Sequence, residues 1–436
     1  MKRLIFIILI LTINYSHVHP QEGTEKHLID DINLHVVIYG PGDELFIWWG
    51  HVALIVEYTL WDISQVFDWG VLDYPSNSFI NALIRDEVRY KVTEGFHDLQ
   101  EYINANRDVT VYTLNLDRKA KETILSYAVD MTLPENCYYD YHDFRDNCST
   151  RIRDIIDLGL RGQFKAAYGN VPGRLSYRQH ARRFTWSKPA SEWLLSFLCG
   201  QNLDKKITAW EEMFLPVEVA RNIVDFTYHD DSGMEKKLVS SVEKINSSKM
   251  RPAILKEPAR DWPFAFVAGL ICACLLFFLQ AQVKKNSKLC RILLNLSQSI
   301  LGLFFGILGC FLFFCLCFVR IDYFHSNYNI LFVNPFILVI VPLGVLASTN
   351  KTFLINPERC LQIIWTYIFI TCLIIFVLHL FPSYYQQNMS ILGIILPVSF
   401  VLSNVAKRTY NYWLAIGSEN GVLCTTKRNR CNCNKW

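Results

Sequence analysis

The sequence predicts an exported α+β domain followed by an α-helical membrane domain of five spans. The first observation is uneven hydrophobicity: 51% of the residues are hydrophobic, and the long apolar runs are confined to residues 262–405. The second is that residues 21–260 have the composition of a water-soluble domain in which strand-like segments precede helical ones. The third is an N-terminus typical of export. We therefore expect four parts: residues 1–20, 21–260, 261–406 and 407–436.

Composition and charge exclude two classes of protein. Charged residues make up 19% of the chain, below the roughly 25% of an ordinary soluble protein, which excludes a disordered chain. The 43 basic and 40 acidic side chains leave a net charge of +3, too small for a protein that coats a polyanion. We expect no nucleic-acid partner.

No cofactor or metal site is predicted. Gly-rich loops that would hold a phosphate are absent from the sequence. The C-terminal tail contains Cys424, Cys431 and Cys433, but no fourth ligand follows at a spacing that would complete a metal site. We expect this basic tail to be cytoplasmic and its thiols to be reduced.

The N-terminal segment Met1–Ile13 places Lys2 and Arg3 before a short apolar run. A run of about ten apolar residues suits a secretory signal peptide, because a bilayer span needs about 20. No small-x-small cleavage site stands out near Ser16 to Pro20, so an uncleaved anchor is the alternative. In both cases the following domain is exported.

Strand-like and helical segments follow one another in the exported domain. β-branched and aromatic residues are concentrated in residues 34–39, 51–58, 65–71 and 109–116, which predicts four strands. Apolar residues recur at helical spacing in residues 119–131 and 149–158. This order predicts an α+β domain and not a regular alternation of strands and helices.

The membrane domain is predicted from five apolar segments and from the charges between them. The segments are residues 262–283, 292–319, 330–347, 361–381 and 388–405. With residues 21–260 outside, the predicted cytoplasmic loops contain four basic residues in Lys284–Arg291, then Lys351 with Arg359, then Lys407-Arg408. The predicted external loops, 320–329 and 382–389, contain only two charged residues, Arg320 and Asp322. This distribution follows the positive-inside rule.

Cys148 is the candidate nucleophile because it opens a predicted helix. Asp146 or Asn147 is a good N-cap, and isoleucines follow at helical spacing at positions 152, 155 and 156. At the first turn, free backbone N–H groups and the positive end of the helix dipole favour a thiolate. The same N–H groups are suited to binding the oxyanion of an acyl-transfer intermediate.

The structural alternative for Cys148 is a disulfide or a buried inert thiol. The exported domain contains three cysteines, Cys137, Cys148 and Cys199. An odd number leaves at least one unpaired thiol in an oxidising compartment. Pairing of Cys137 with Cys199 would leave Cys148 free for chemistry.

His51 is the candidate base for this thiol. It follows Gly50 and opens an apolar strand, which places it to project into a cleft, although a packed strand-end histidine is the alternative. His142 is the rival base because it is close to Cys148 in sequence. Its position in a loop gives it no fixed geometry.

Asp68 is the candidate third residue that would orient the base. It stands among apolar neighbours in the strand that follows His51, where a carboxylate needs a partner. Asp62 and Asp73 are alternatives in turns. A solvated acid at a strand edge is the structural alternative for Asp68.

The segments around these residues resemble a known family. Gly50-His51-Val-Ala-Leu, Asp68-Trp-Gly70 and Asp146-Asn-Cys-Ser-Thr-Arg-Ile-Arg-Asp154 resemble envelope proteins with a periplasmic domain that are tied to lipoprotein N-acylation. The resemblance continues through Ser176-Tyr-Arg178, Met213-Phe-Leu-Pro216 and the membrane-side segment His325–Pro335, so it covers nearly the whole chain. The order of histidine before cysteine is also similar to the permuted papain-like fold of the lecithin:retinol acyltransferase type.

The resemblance implies an acyltransferase in the inner membrane with its catalytic domain in the periplasm. Cys148 is the implied nucleophile, which carries a fatty acyl chain as a thioester, and His51 is the implied base. The implied acyl donor is a membrane phospholipid or lipid ester. The implied acceptor is the N-terminal cysteine amine of a diacylated lipoprotein. The resemblance does not place the family's third polar residue at a position of this sequence.

Further residues are expected to bind substrate. The external loop between the second and third spans is rich in hydrogen-bonding groups, and we expect His325, Asn327 and Asn334 to hold a lipid headgroup or the reacting amine. An ordinary interfacial loop with tyrosine anchors is the alternative. We also expect Arg151 and Trp49 to contact substrate.

Two other functions fit parts of the sequence. A papain-like peptidase or amidase acting on the cell wall would use the same cysteine and histidine, but five spans are excessive for that task. A non-enzymatic transport or assembly subunit would explain the spans. However, the spans contain almost no ionisable residue beyond His379, so no ion path is visible.

Overall fold

The computed structural model describes residues 29–73, 89–96, 99–319, 321–349 and 355–404. The chain divides into two compact units, one of Met1–Phe184 with Lys206–Glu257 and one of Thr185–Lys205 with Pro258–Trp436. The predicted signal peptide, the cytoplasmic tail, Arg320 and Lys351 lie outside the described residues.

A seven-stranded antiparallel sheet forms the centre of the first unit. Its strand order is β6–β4–β3–β2–β1–β5–β9, and β7 and β8 form a separate hairpin. The strands are β1 (Ile32–Tyr39), β2 (His51–Tyr58), β3 (Ile63–Asp73), β4 (Arg89–Phe96), β5 (Val109–Leu114), β6 (Tyr138–Tyr139), β7 (Thr227–His229), β8 (Glu235–Lys237) and β9 (Val239–Asn246). The four predicted strands are confirmed as β1, β2, β3 and β5.

Among the described residues, eight short helices precede the membrane-type segments. They are α1 (Leu99–Asn104), α2 (Arg118–Asp130), α3 (Cys148–Gly159), α4 (Gln163–Tyr168), α5 (Tyr177–Thr185), α6 (Pro189–Leu198), α7 (Ala209–Glu212) and α8 (Pro216–Asp225). The two predicted helices are confirmed as α2 and α3. The mixed helix and sheet composition of the exported part is therefore confirmed.

The central sheet is covered on both faces. This packing holds the start of β2, which carries His51, and the start of α3, which carries Cys148. Helix α3 buries Ile152 and Ile156 completely in the cluster that contains Val52. Ala53 belongs to a second cluster on the other face, against which residues of α1 pack. Burying one such isoleucine side chain contributes about 1.5–3 kcal/mol, so α3 is held firmly against the sheet.

In the described part of the second unit, four segments are long and apolar enough to cross a membrane. They are Trp262–Val283, Lys288–Phe318, Tyr328–Ser348 and Pro357–Leu378. A fifth apolar helix, Met389–Ser403, is shorter at 15 residues. Within the described residues, four of the five predicted spans therefore meet the length requirement.

The helices of these segments are α9 (Trp262–Val283), α10 (Lys288–Phe318), α11 (Ile340–Ser348), α12 (Pro357–Leu378) and α13 (Met389–Ser403). The third segment is composite, because two 3₁₀ turns, Tyr328–Leu331 and Pro335–Val339, precede α11. Helices α9 and α13 approach closely at Gly269, where an added Cβ would lie 2.9 Å from the Ile394 Cα. Such contacts between backbones are typical of membrane helix pairs.

The boundary between the units differs from the continuous segment 21–260 that the sequence predicts. Thr185–Lys205, which includes α6, belongs to the second unit. Phe197 and Leu198 at the end of α6 are buried in the core of that unit. Asn327 donates hydrogen bonds to the carbonyl oxygens of these two residues at 2.9 and 2.8 Å, which holds the end of α6 in place.

Candidate active site

The N-terminus of α3 is built by a capping box. The Asn147 side chain accepts a hydrogen bond from the Thr150 N–H at 3.0 Å, and the Asn147 N–H donates to the Thr150 hydroxyl at 2.8 Å. The Asn147 amide also donates to the Phe214 carbonyl at 2.9 Å. Cys148 is therefore the first residue of the helix, as predicted, and its position is fixed from two sides.

Gly50 directs His51 at the start of β2. The backbone of Gly50 has φ +87°, and an added Cβ would lie 2.8 Å from the Tyr39 carbonyl oxygen. Glycine is the residue that adopts this conformation without steric cost. The turn lets the chain enter β2 with the His51 ring stacked against Tyr39 at a centroid distance of 6.0 Å.

His51 bridges Asp68 and Cys148. Its Nε2 lies 2.7 Å from the Asp68 Oδ1, and both side chains are 19% exposed. The imidazole is also close enough to the Cys148 sulfur for each group to shift the pKa of the other. The structure thus brings together the predicted nucleophile, base and third residue.

The electrostatics of this group favour a charged thiolate and imidazolium. Burial by itself would raise the pKa of Cys148, but the charge and hydrogen bond of His51, with a hydrogen bond from the Val52 N–H, outweigh it and hold that pKa below 9.0. Burial likewise opposes the charged form of His51, yet the carboxylate of Asp68 and the sulfur of Cys148 raise the His51 pKa well above 6.5. A lowered thiol pKa increases the fraction of Cys148 that is present as the nucleophilic thiolate.

Gly70 makes room beside Cys148. Its φ is +92°, and the pairing of β3 with β4 shifts register between Trp69 and Val71, which is the pattern of a β-bulge. An added Cβ at Gly70 would lie 3.2 Å from the Tyr141 ring, 3.7 Å from the Tyr139 hydroxyl and 3.9 Å from the Cys148 Cβ. The missing side chain therefore leaves a space no larger than a methyl group, bounded by two tyrosines and the nucleophile.

Arg151 stacks on the ring of Tyr139, which borders this space. Its guanidinium carbon lies 4.4 Å from the centre of the Tyr139 ring, and its Nη2 donates to Asp146 at 2.7 Å. The charge of Arg151 is thus balanced within the protein. Its predicted contact with substrate stays a prediction.

The rival acids and the rival base lie elsewhere. The His142 Nδ1 accepts a hydrogen bond from the Phe144 N–H at 3.1 Å. Asp73 pairs with Lys91 at 3.1 Å, and Asp62 lies in the turn between β2 and β3 with φ +51°. The geometry therefore favours His51 and Asp68 over these alternatives.

Cys148 carries an unbridged thiol, and so does Cys137. The Cys137 thiol donates to the Pro134 carbonyl at 3.7 Å. Because the Cys148 thiol is unbridged, the structure does not support the disulfide alternative for Cys148.

The remaining predicted binding residues are engaged inside the protein. Trp49 donates to the Ala181 carbonyl at 3.1 Å. In the second unit, the His325 Nε2 lies 3.1 Å from the Val319 carbonyl oxygen, and the Asn334 side chain accepts from the Phe336 N–H at 3.1 Å. Asn327 is 4% exposed and both of its side-chain groups are hydrogen-bonded. Roles in substrate binding for these residues stay predictions.

Sequence reasoning missed the parts that Gly70 and Tyr139 play. An isolated glycine inside a strand pattern is a signal for a bulge, so Gly70 was detectable. Tyr139 stands in a run of tyrosines with no local signal that separates it from its neighbours. Only the pairing of β6 with β4 places it near the nucleophile.

Comparison with known proteins agrees with the resemblance drawn from the sequence. Residues 20–183 match the family described as the Lnb N-terminal periplasmic domain, a range that includes Cys148, His51 and Asp68. No curated protein and no solved structure matches the chain. Together with the four apolar helices, the match indicates a membrane protein with a periplasmic domain.

Proposed function

We propose, from the premise that residues 20–183 form an Lnb N-terminal periplasmic domain, that this protein is a lipoprotein N-acyltransferase. It moves a fatty acyl chain from a membrane phospholipid or lipid ester to the N-terminal cysteine amine of a diacylated lipoprotein. The observation that carries the proposal is the group of Cys148, His51 and Asp68 in a chain with apolar, membrane-capable helices.

The first half-reaction forms a thioester. The Cys148 thiolate attacks the carbonyl carbon of the acyl ester, and the electrons of the C=O bond move to oxygen. When this intermediate collapses, the bond to the alcohol oxygen breaks and that oxygen takes a proton from the His51 imidazolium. The products are an acyl-Cys148 thioester and a lysolipid, and His51 is left neutral.

The second half-reaction forms the amide. The free amine of the lipoprotein attacks the thioester carbonyl, and neutral His51 takes the proton that the nitrogen loses. The carbon–sulfur bond then breaks and restores the thiolate beside the imidazolium. Asp68, at 2.7 Å from the His51 Nε2, orients the ring and stabilises its charge in both halves. Two half-reactions through one covalent intermediate imply ping-pong kinetics.

The finer architecture is part of the same proposal. A strand-borne histidine that precedes a helix-borne cysteine supports a permuted papain-like arrangement. Met389–Ser403 is apolar, and the basic residues that follow residue 406 support its extension into a fifth span that ends in the cytoplasm. The catalytic domain then faces the periplasmic side of the inner membrane, where lipid and lipoprotein are both present.

The deciding experiment is mass spectrometry of lipoproteins from cells that have no other N-acyltransferase. Wild-type protein should give N-acylated lipoproteins, and Cys148→Ala should give only free N-terminal amines. Cys137→Ala is the matched control, because it removes another unbridged thiol of the same unit. Normal N-acylation with Cys148→Ala would refute the proposal.

A cell-wall peptidase would use the same three residues with a different substrate. Incubation of the purified protein with cell-wall peptides separates the two functions. Release of peptides, with no acyl adduct on Cys148, would favour the peptidase. An acyl adduct that depends on His51 would exclude a purely structural role in transport or assembly.

A further inference from the structure

The Tyr139 hydroxyl is buried beside the candidate nucleophile and has no hydrogen-bond partner among the described residues. Buried polar groups in proteins are nearly always hydrogen-bonded, so an exception next to reactive groups calls for an explanation. The hydroxyl of the neighbouring Tyr138, which is exposed, does have a partner, because it donates to Asp73 at 2.8 Å.

The hydroxyl borders the space that Gly70 leaves open. The position that a Cβ of Gly70 would occupy lies 3.7 Å from the Tyr139 hydroxyl and 3.9 Å from the Cys148 Cβ. Tyr141 closes the space with a ring carbon, at 3.2 Å from the same position. Outside Trp69–Val71, the three atoms nearest this position therefore include one polar atom, the Tyr139 oxygen, and one atom of the nucleophile.

The surroundings keep this hydroxyl protonated and in place. Burial, together with the charge of Cys148, raises the pKa of Tyr139 far above its ordinary value, against the opposing effect of Arg151. The Arg151 guanidinium covers the ring at 4.4 Å and is itself held by Asp146. The phenol is thus a fixed hydrogen-bond donor and does not serve as a base.

We propose that Tyr139 is a catalytic residue whose hydroxyl donates a hydrogen bond to the carbonyl oxygen of the acyl group as Cys148 attacks it. As the carbon–sulfur bond forms, the electrons of the C=O bond move onto that oxygen, and Tyr139 stabilises the negative charge while keeping its own proton. Donors placed at a developing oxyanion act mainly on the transition state. The inference rests on the proposed acyl transfer and assigns a further residue to it.

The test compares two reactions of Cys148 in the full-length, detergent-solubilised protein. Acylation is measured as the rate of acyl adduct formation from a phospholipid and, separately, from p-nitrophenyl decanoate. Alkylation by iodoacetamide is measured at the same residue by peptide mass spectrometry. Alkylation needs the thiolate but forms no oxyanion, so it reports on activation of the nucleophile alone.

Tyr139→Phe should lower the maximal acylation rate about 100-fold, the typical loss for one oxyanion donor, with little change in KM. Its alkylation rate and thermal unfolding temperature should stay at the wild-type values. Tyr138→Phe is the matched control on the same strand and should leave both reactions unchanged. Unchanged acylation in Tyr139→Phe would overturn the inference. A parallel fall in alkylation would also overturn it, because Tyr139 would then act through the thiol.

The two acyl donors separate this inference from the proposed function. If the wild-type protein accepts the p-nitrophenyl ester and not the phospholipid, the proposed donor is wrong. The role of Tyr139 is then tested by the rate of acylation from the p-nitrophenyl ester alone. If it accepts neither, both proposals fail.

Discussion

Replacing His51 by alanine should make Cys148 a poor nucleophile at neutral pH. The charge and hydrogen bond of His51 lower the pKa of Cys148, whereas burial raises it. Without the imidazole, burial remains and the pKa should move above the ordinary 9.0. A thiol with that ordinary value is about 1% ionised at pH 7, so the variant should have less thiolate than this.

The assay is the rate of iodoacetamide alkylation at Cys148 between pH 5 and pH 10. Wild-type protein should show a midpoint below pH 9.0, because the thiolate is present above the lowered pKa and is lost as the pH falls through it. His51→Ala should show a midpoint above 9.0 and react more slowly at pH 7, by about tenfold for each pH unit between the two midpoints.

His142→Ala is the matched control and should behave as wild type, because the His142 ring accepts from the Phe144 N–H. A wild-type midpoint in His51→Ala would refute the reasoning. A raised midpoint in His142→Ala would identify the other histidine as the base.

Three further predictions concern the supports of the site and of the membrane unit. Asp68→Asn keeps a hydrogen-bond acceptor but removes the charge that raises the His51 pKa. In the pH profile of the acylation rate, the alkaline limb, where His51 loses its proton, should therefore move down by at least about one pH unit. Asn147→Ala removes the cap of α3 and the bond to the Phe214 carbonyl, which should lower the free energy of unfolding by about 2–3 kcal/mol in a denaturant titration. Gly269→Ala should destabilise the detergent-solubilised protein by about 1–3 kcal/mol, whereas Ala268→Val on the exposed side of the same helix should change little. Equal effects of the last two variants would contradict the close packing of α9.

The sequence alone predicted the features that depend on neighbouring residues. The start of α3 follows from a capping residue before an isoleucine pattern, and the structure places the cap at Asn147. The strand that opens at His51 follows from a glycine before a β-branched run, and β2 begins there. Such features are readable because their causes lie within one or two turns of chain.

Other expectations depended on packing and came out differently. The segment Thr185–Lys205 looks like a continuation of the exported domain, but it belongs to the second unit. The buried carbonyls at the end of α6 take their hydrogen bonds from Asn327, which is far away in sequence. Within the described residues, the fifth apolar helix is also shorter than the apolar run that predicts it.

The chemistry of the site was decided by tertiary structure. The sequence named Cys148 and His51 and favoured Asp68 over two other acids. Only the pairing of β2 with β3 brings the Asp68 carboxylate to 2.7 Å from the ring. The space at Gly70 lies on β3 itself, and the hydroxyl of Tyr139 lies on a further strand, β6. Their relation to the thiol arises from a bulge and from strand pairing, because hydrogen bonding across the sheet sets distances that spacing along the chain does not contain.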